Sequence, residues 1–183
     1  MKQKKPARAN KAAYIALVVF ISCFAFLPMN CKNQSTAPDM PNSSFDNSLL
    51  ISCNPSSGGI GTIVDLKISI MGNSKEIKSF GLEMTFDPAV FQYQSTNKSD
   101  ITASWATVDG NETSPGKVII GGFMGSGNPI PAGSSGSLAI IKIKVIYNGN
   151  DDGFSRQISI KNYIDDIGGM KPALSSTTFT FKK

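Results

Sequence analysis

Two stretches of the chain alternate strictly between apolar and polar residues, and that period limits the folds open to it. Val64, Leu66, Ile68 and Ile70 are interleaved with Asp65, Lys67 and Ser69; Phe80, Leu82, Met84 and Phe86 with Gly81, Glu83 and Thr85. Successive side chains of a β-strand point to opposite faces, so a period of two predicts strands with one dry and one wet face. From residue 48 onward nothing sustains the 3.6-residue apolar stripe of an amphipathic helix.

Further strand candidates lie at 49–53, 90–94, 101–108, 117–124, 137–147, 156–163 and 177–181. In the candidate at 137–147, Ala139, Ile141, Ile143, Val145 and Tyr147 share one face, and Lys142 and Lys144 interrupt the other. Turn signals separate the candidates: Ser56-Ser57-Gly58-Gly59, Gly72-Asn73, Asp109-Gly110-Asn111, the glycine-rich stretch 125–136, and 148–153. Short strands at such spacing predict an all-β fold, a nine-stranded antiparallel β-sandwich with jelly-roll (immunoglobulin-like) topology. Residues 48–183 suffice for one core of this kind.

The first 47 residues have another character. Lys2, Lys4, Lys5, Arg8 and Lys11 precede an apolar run over 14–29, and no acidic residue occurs before Asp39. Setting these five aside leaves 13 of the 18 basic side chains against 13 acidic ones, so the net charge of +5 belongs to the N-terminus and does not signal nucleic acid. The apolar run is shorter than the about 20 residues a membrane-crossing helix needs. Residues 1–30 are therefore expected to form an export and membrane-targeting signal. Cys31 and Cys23, near the end of the run, are the two candidates for lipidation of an envelope-anchored protein. Residues 31–47, rich in Asn, Ser and Pro, are expected to be a polar, disordered tether. Cys53 is expected to be a small buried hydrophobe on the first strand.

Catalytic chemistry finds few carriers. The chain has no histidine, which removes Ser-His-Asp and Cys-His constellations and the usual zinc ligands. No Gly-rich loop leads into a helix that would cradle a phosphate. Asp151, Asp152, Asp165 and Asp166 are oxygen donors that calcium could use, but they lack EF-hand spacing and are expected to be solvated turn acids. No enzyme activity, metal or cofactor is expected. Asp87, followed by Pro88, is expected to fix a structural corner, because proline cannot continue a ladder and aspartate bonds to turn donors.

The order of these pieces resembles a cohesin domain. The resemblance is carried by 50–53, the turn ending Gly61-Thr62, the strand to Ile70, and above all Phe80-Gly81-Leu82-Glu83-Met84-Thr85-Phe86-Asp87-Pro88-Ala89-Val90-Phe91. Gly116-Lys117-Val118-Ile119-Ile120-Gly121-Gly122, the strand from Gly136 to Val145 and Thr178-Phe179-Thr180-Phe181 follow in family order. The resemblance implies a scaffolding module that binds a dockerin-like extracellular protein through a sheet face built from strands near 80–86, 102–108, 117–124 and 156–163. On that face Glu83, Thr85, Ile119, Phe123 and Lys161 are the expected contacts; the alternation leaves open whether Ile119 and Phe123 or Val118 and Met124 face outward. A loop over 125–136 covering these residues is the alternative. Related carbohydrate-binding sandwiches imply a second reading, a module for cell-wall or extracellular polysaccharide, with Trp105 as its glycan contact.

Overall fold

The computed structural model describes residues 47–149 and 152–183. The expected signal, the tether except Asn47, Cys23, Cys31 and Asp151 lie outside the described residues.

Eleven strands form among the described residues: β1 (Ser48–Asn54), β2 (Ser57–Gly58), β3 (Ile63–Met71), β4 (Ser79–Thr85), β5 (Phe91–Lys98), β6 (Thr107–Ser114), β7 (Lys117–Phe123), β8 (Gly136–Val145), β9 (Ser155–Asp165), β10 (Lys171–Leu174) and β11 (Ser176–Phe181). They build two sheets, in the orders β10-β1-β3-β8-β5 and β2-β11-β9-β4-β7-β6. The sandwich is as expected, but the strand count and the uniformly antiparallel pairing are corrected. Two short edge strands add to the nine, and both pair parallel: β10 with β1 and β2 with β11. Neither carries an apolar alternation. β10 contains Pro172, tolerated at an edge where no ladder donor is needed.

Between the sheets lies one dry layer. Leu66, Ile68, Ile141 and Ile143 contribute from one side and Phe80, Met84, Ile120, Ile160 and Phe179 from the other, none more than 2% exposed. Full burial of each such side chain is worth about 1.5–3 kcal/mol. On the outer face of the five-stranded sheet, Lys142 of β8 reaches Asp65 of β3 at 2.6 Å, so one of the two lysines in that strand has a partner on the wet side.

Two local assignments change. Residues 101–108 do not run as a strand, because a 3-10 turn spans Asp100–Thr102 and β6 begins at Thr107. Short polar side chains here compete with a ladder. Ser99 N–H donates to Thr102 Oγ1, and Thr102 Oγ1–H donates to the Leu138 carbonyl. Asp100 Oδ1 accepts from both the backbone N–H and the hydroxyl of Ser137.

The triplet Asp109-Gly110-Asn111 is not a turn; it sits within β6, opposite Gly121, Ile120 and Ile119. Gly110 is there for close approach. A Cβ would meet Thr96 Oγ1 at 2.3 Å, where Tyr93 Oη–H of β5 donates to the Gly110 carbonyl at 3.0 Å and ties the two sheet edges together. The hairpin instead reverses at Pro115-Gly116, with Gly116 at φ 77°.

The Asp87 corner is a structural device, as expected. Its Oδ1 accepts from the Ala89 N–H at 3.0 Å, its carbonyl from the Val90 and Phe91 N–H groups, and its Oδ2 from Arg156 Nε at 3.1 Å.

Candidate functional site

β9, β4, β7 and β6 are consecutive neighbours in the six-stranded sheet, and their ladders set the outer face in rows. One row reads Asn111, Ile119, Glu83, Lys161 across the four strands. The next, two residues along, reads Asp109, Gly121, Gly81, Ile164, and the third begins Thr107, Phe123, Ser79. On the other side of the Glu83 row, Thr85 lies between Lys117 and Ser159.

The open question of register on β7 resolves to Ile119 and Phe123 outward, at 41% and 55% exposure, with Val118 fully buried. Ile164 joins them at 57%. The stretch 125–135 does not cover them. It folds instead over one end of the core, where Asn128 accepts from Trp105 and Ile130 pairs with Ile77.

Glu83 points outward but is nearly enclosed, its side chain 7% exposed. Lys117 Nζ lies 2.9 Å from Oε2 and Lys161 Nζ 3.2 Å from Oε1. Asn162 Nδ2–H donates to Oε2 at 3.0 Å. Asn162 reaches it because β9 bulges there: Asn162 adopts φ 53°, and the ladder shifts register between Gly81 and Glu83. The hydrogen bond from Lys117, then those from Lys161 and Asn162, hold the carboxyl down to about 2 against burial, which pushes it up. Alternation could place Glu83 on this face; the bulge that brings Asn162 to it has no signal in the apolar pattern. Thr85 is half-buried, and Lys161 is exposed.

A shallow depression of about 420 Å³ opens on this face over Gly121, bounded by Ile119, Phe123, Asp109 and Asp165. Sequence reasoning missed Asp109 and Ile164 as members of the face. Asp109 becomes legible only once β6 is known to start at Thr107, and Ile164 only once the bulge is known.

Trp105 is corrected as a glycan contact. It is 1% exposed, its ring packs on Phe80 at 5.8 Å between centroids, and its Nε1–H donates to the Asn128 carbonyl at 3.0 Å. A ring buried on both counts offers no face to a sugar. The acidic candidates do not converge either: Asp152 and Asp165 flank opposite ends of β9. Asp152 accepts from the Lys183 N–H. Asp166 Oδ2 accepts from the Lys78 and Ser79 N–H groups at 2.8 and 3.0 Å, and the first of these bonds does most to lower its carboxyl below the usual range. Among the described residues no three His, Cys, Asp or Glu side chains gather as a metal site, and no helix is long and apolar enough to cross a membrane.

Cys53 is half-buried rather than buried. Its Sγ–H donates to the Thr178 carbonyl and its sulfur accepts from the Thr177 hydroxyl, so the thiol links β1 of one sheet to β11 of the other.

Comparison with known proteins agrees with this architecture. The family model described as the cohesin domain matches residues 51–180. No curated protein matches the sequence. Among solved structures, a cohesin module from a family 33 glycoside hydrolase of Clostridium perfringens superposes with a TM-score of 0.58 at 16% identity, covering 74% of this chain and 96% of that one. A non-cellulosomal cohesin from the archaeon Archaeoglobus fulgidus gives 0.56 at 17%, covering 74% and 92%. A type I cohesin–dockerin complex from Clostridium thermocellum gives 0.55 at 16%, covering 74% and 93%. At these identities the likeness to the solved structures is one of fold.

Proposed function

This chain belongs to the cohesin domain family, and we propose that it is a non-catalytic scaffolding module of the cell envelope that binds a dockerin-like protein. The binding surface is the outer face of β9, β4, β7 and β6, with Glu83, Thr85, Ile119, Phe123 and Lys161 as contacts. The observation that carries this is the outward placement of Ile119, Phe123 and Ile164 on one uncovered sheet face. Large apolar side chains gathered on an open, nearly flat surface suit a macromolecular partner better than a small ligand. The Clostridium thermocellum cohesin of similar fold is found in complex with a dockerin, which supports the partner class.

The N-terminal pattern supports export and anchoring at the bacterial cell envelope, with Cys31 or Cys23 carrying the lipid and 31–47 as the spacer. Palmitate labelling of the full chain with Cys23→Ser and Cys31→Ser should stop in one of the two variants. Labelling that survives in the double variant defeats lipidation at these positions.

Binding is tested by presenting the full chain to a panel of purified dockerin modules and following association by biolayer interferometry. A dockerin bound by the wild-type chain and released by Phe123→Asp, in a variant with an unchanged melting temperature, supports the reading. No binding across the panel, or binding indifferent to Phe123→Asp, overturns it.

A further inference from the structure

We propose that this face selects a protein segment that lays an apolar side chain over Gly121 and sets a carboxylate against the Lys117–Lys161 pair. The inference rests on the reading of the face as a protein-binding surface and adds the chemistry of its occupant.

Gly121 is bare without structural need. Its φ is not among the positive ones, and a Cβ would meet only the Phe80 carbonyl oxygen, at an ordinary 3.6 Å. Its neighbour Gly122 is different, since a Cβ there would strike the Phe80 ring at 2.3 Å. The fold thus demands glycine at 122 and tolerates a side chain at 121. The missing side chain at 121, opposite Gly81, leaves the floor of the depression as backbone, walled by Ile119 and Phe123. Three of the seven large apolar residues exposed among the described residues stand on this face: Ile119 and Phe123 line the floor, and Ile164 lies over Gly81 beside it. An apolar side chain seated there would remove Ile119 and Phe123 from water.

The charges give the segment its second feature and its direction. Two ammonium groups share the Glu83 carboxylate, so one unit of positive charge is left uncancelled beside Ile119, and the Lys117 and Lys161 side chains are 44% and 55% exposed. Asp109, paired with Gly121, and Asp165, close to Gly81, line the depression one row beyond Ile119 and Lys161. A carboxylate on the segment is attracted to the lysine end and repelled at the aspartate end. Complementary charge at a rim sets register and association rate more than total affinity.

The test uses the full chain and a displayed library of a small helical scaffold with a randomised surface, selected on wild type and counter-selected on Gly121→Leu. The expected clones combine an apolar side chain with Asp or Glu and lose binding on Gly121→Leu, whose melting temperature stays near wild type. Lys161→Gln should weaken them about two- to fivefold at low salt. Glu83→Gln, which leaves both ammonium groups uncancelled, should strengthen them. An absence of clones lost on Gly121→Leu, enrichment of Lys and Arg, or weakening by Glu83→Gln each overturns the proposal. The dockerin panel is run in parallel on the same variants. Dockerin binding indifferent to Gly121→Leu and Lys161→Gln overturns this proposal and leaves the dockerin reading standing. Acidic-apolar clones with no dockerin bound do the reverse.

Discussion

Glu83 and Lys117 meet diagonally across the β4–β7 ladder, 2.9 Å apart, although their direct cross-strand partners are Ile119 and Thr85. From the other side Lys161, directly opposite Glu83 on β9, closes to 3.2 Å. One carboxylate therefore joins three adjacent strands on the wet face of the sheet. Lysine stems lie over apolar or enclosed groups while their ammonium ends stay in water, which is how Glu83 comes to be sheltered without entering the core.

This arrangement makes stability depend on pH in a stated direction. The Glu83 carboxyl falls from the usual 4.5 to about 2 in the folded chain. A depressed carboxyl stabilises the fold fully above its unfolded value and loses that contribution as pH falls toward the folded one. Urea midpoints of wild type and Glu83→Gln should therefore differ most above pH 4.5 and converge as pH approaches 2. A difference that stays constant through that window would show that the ion pairs are not its source.

The two adjacent glycines of β7 should respond oppositely to the same change. Gly122→Ala drives a methyl into the Phe80 ring, which is itself 1% exposed and packed at a tilt against Trp105. Overpacking of that kind costs about 1–3 kcal/mol. Gly121→Ala adds a methyl in open contact and should leave stability within about 0.5 kcal/mol of wild type. Chemical denaturation of both variants decides it, and equal losses would refute the placement.

Asp87→Ala should cost about 1–2 kcal/mol. The variant loses the acceptor for the Ala89 N–H and the carboxylate partner of Arg156. Asp87→Asn keeps an oxygen for the Ala89 N–H and should recover part of that loss. Thermal melts of the two variants side by side measure the share held by the ion pair.

How much of this was legible beforehand divides along physical lines. The core strands were, because alternation over Val64 to Ile70 and Phe80 to Phe86 is imposed by burial on one face. β10 and β2 were not, because short edge strands bury too little to leave a pattern. Asp109-Gly110-Asn111 misled because turn chemistry and close packing both select glycine, and only the Tyr93 hydroxyl across from Gly110 tells them apart. Asp165 and Asp166 offered the same ambiguity. Asp166 is spent on two backbone N–H groups at the start of β4, a role without sequence periodicity. On the face itself, Glu83 followed from parity alone, Phe123 needed the register of β7 because both of its faces carry apolar residues, and Ile164 needed a bulge in β9 that no residue type announces.

Trp105 provides the sharpest separation between a structural and a sugar-binding aromatic. It is the single tryptophan of the chain, so its fluorescence reports on one environment. A ring enclosed beside Phe80 should emit to the blue of an exposed indole and resist acrylamide quenching. Cello-oligosaccharides and chitin oligomers should leave that emission unchanged, because no sugar reaches the ring. Trp105→Phe keeps the aromatic packing but leaves the Asn128 carbonyl without its donor. Losing one part-buried hydrogen bond of this kind costs about 0.5–1.5 kcal/mol. The part of the stretch 125–135 around Asn128 should loosen with it, since the bonds to Ile77 and Asn73 hold only 130–134, while the face around Gly121 keeps its shape. Hydrogen exchange on Trp105→Phe should then quicken near Asn128 and stay slow in β4 and β7. Red-shifted emission, or quenching on addition of either sugar series, would instead put the ring at the surface and return Trp105 to the glycan-binding role.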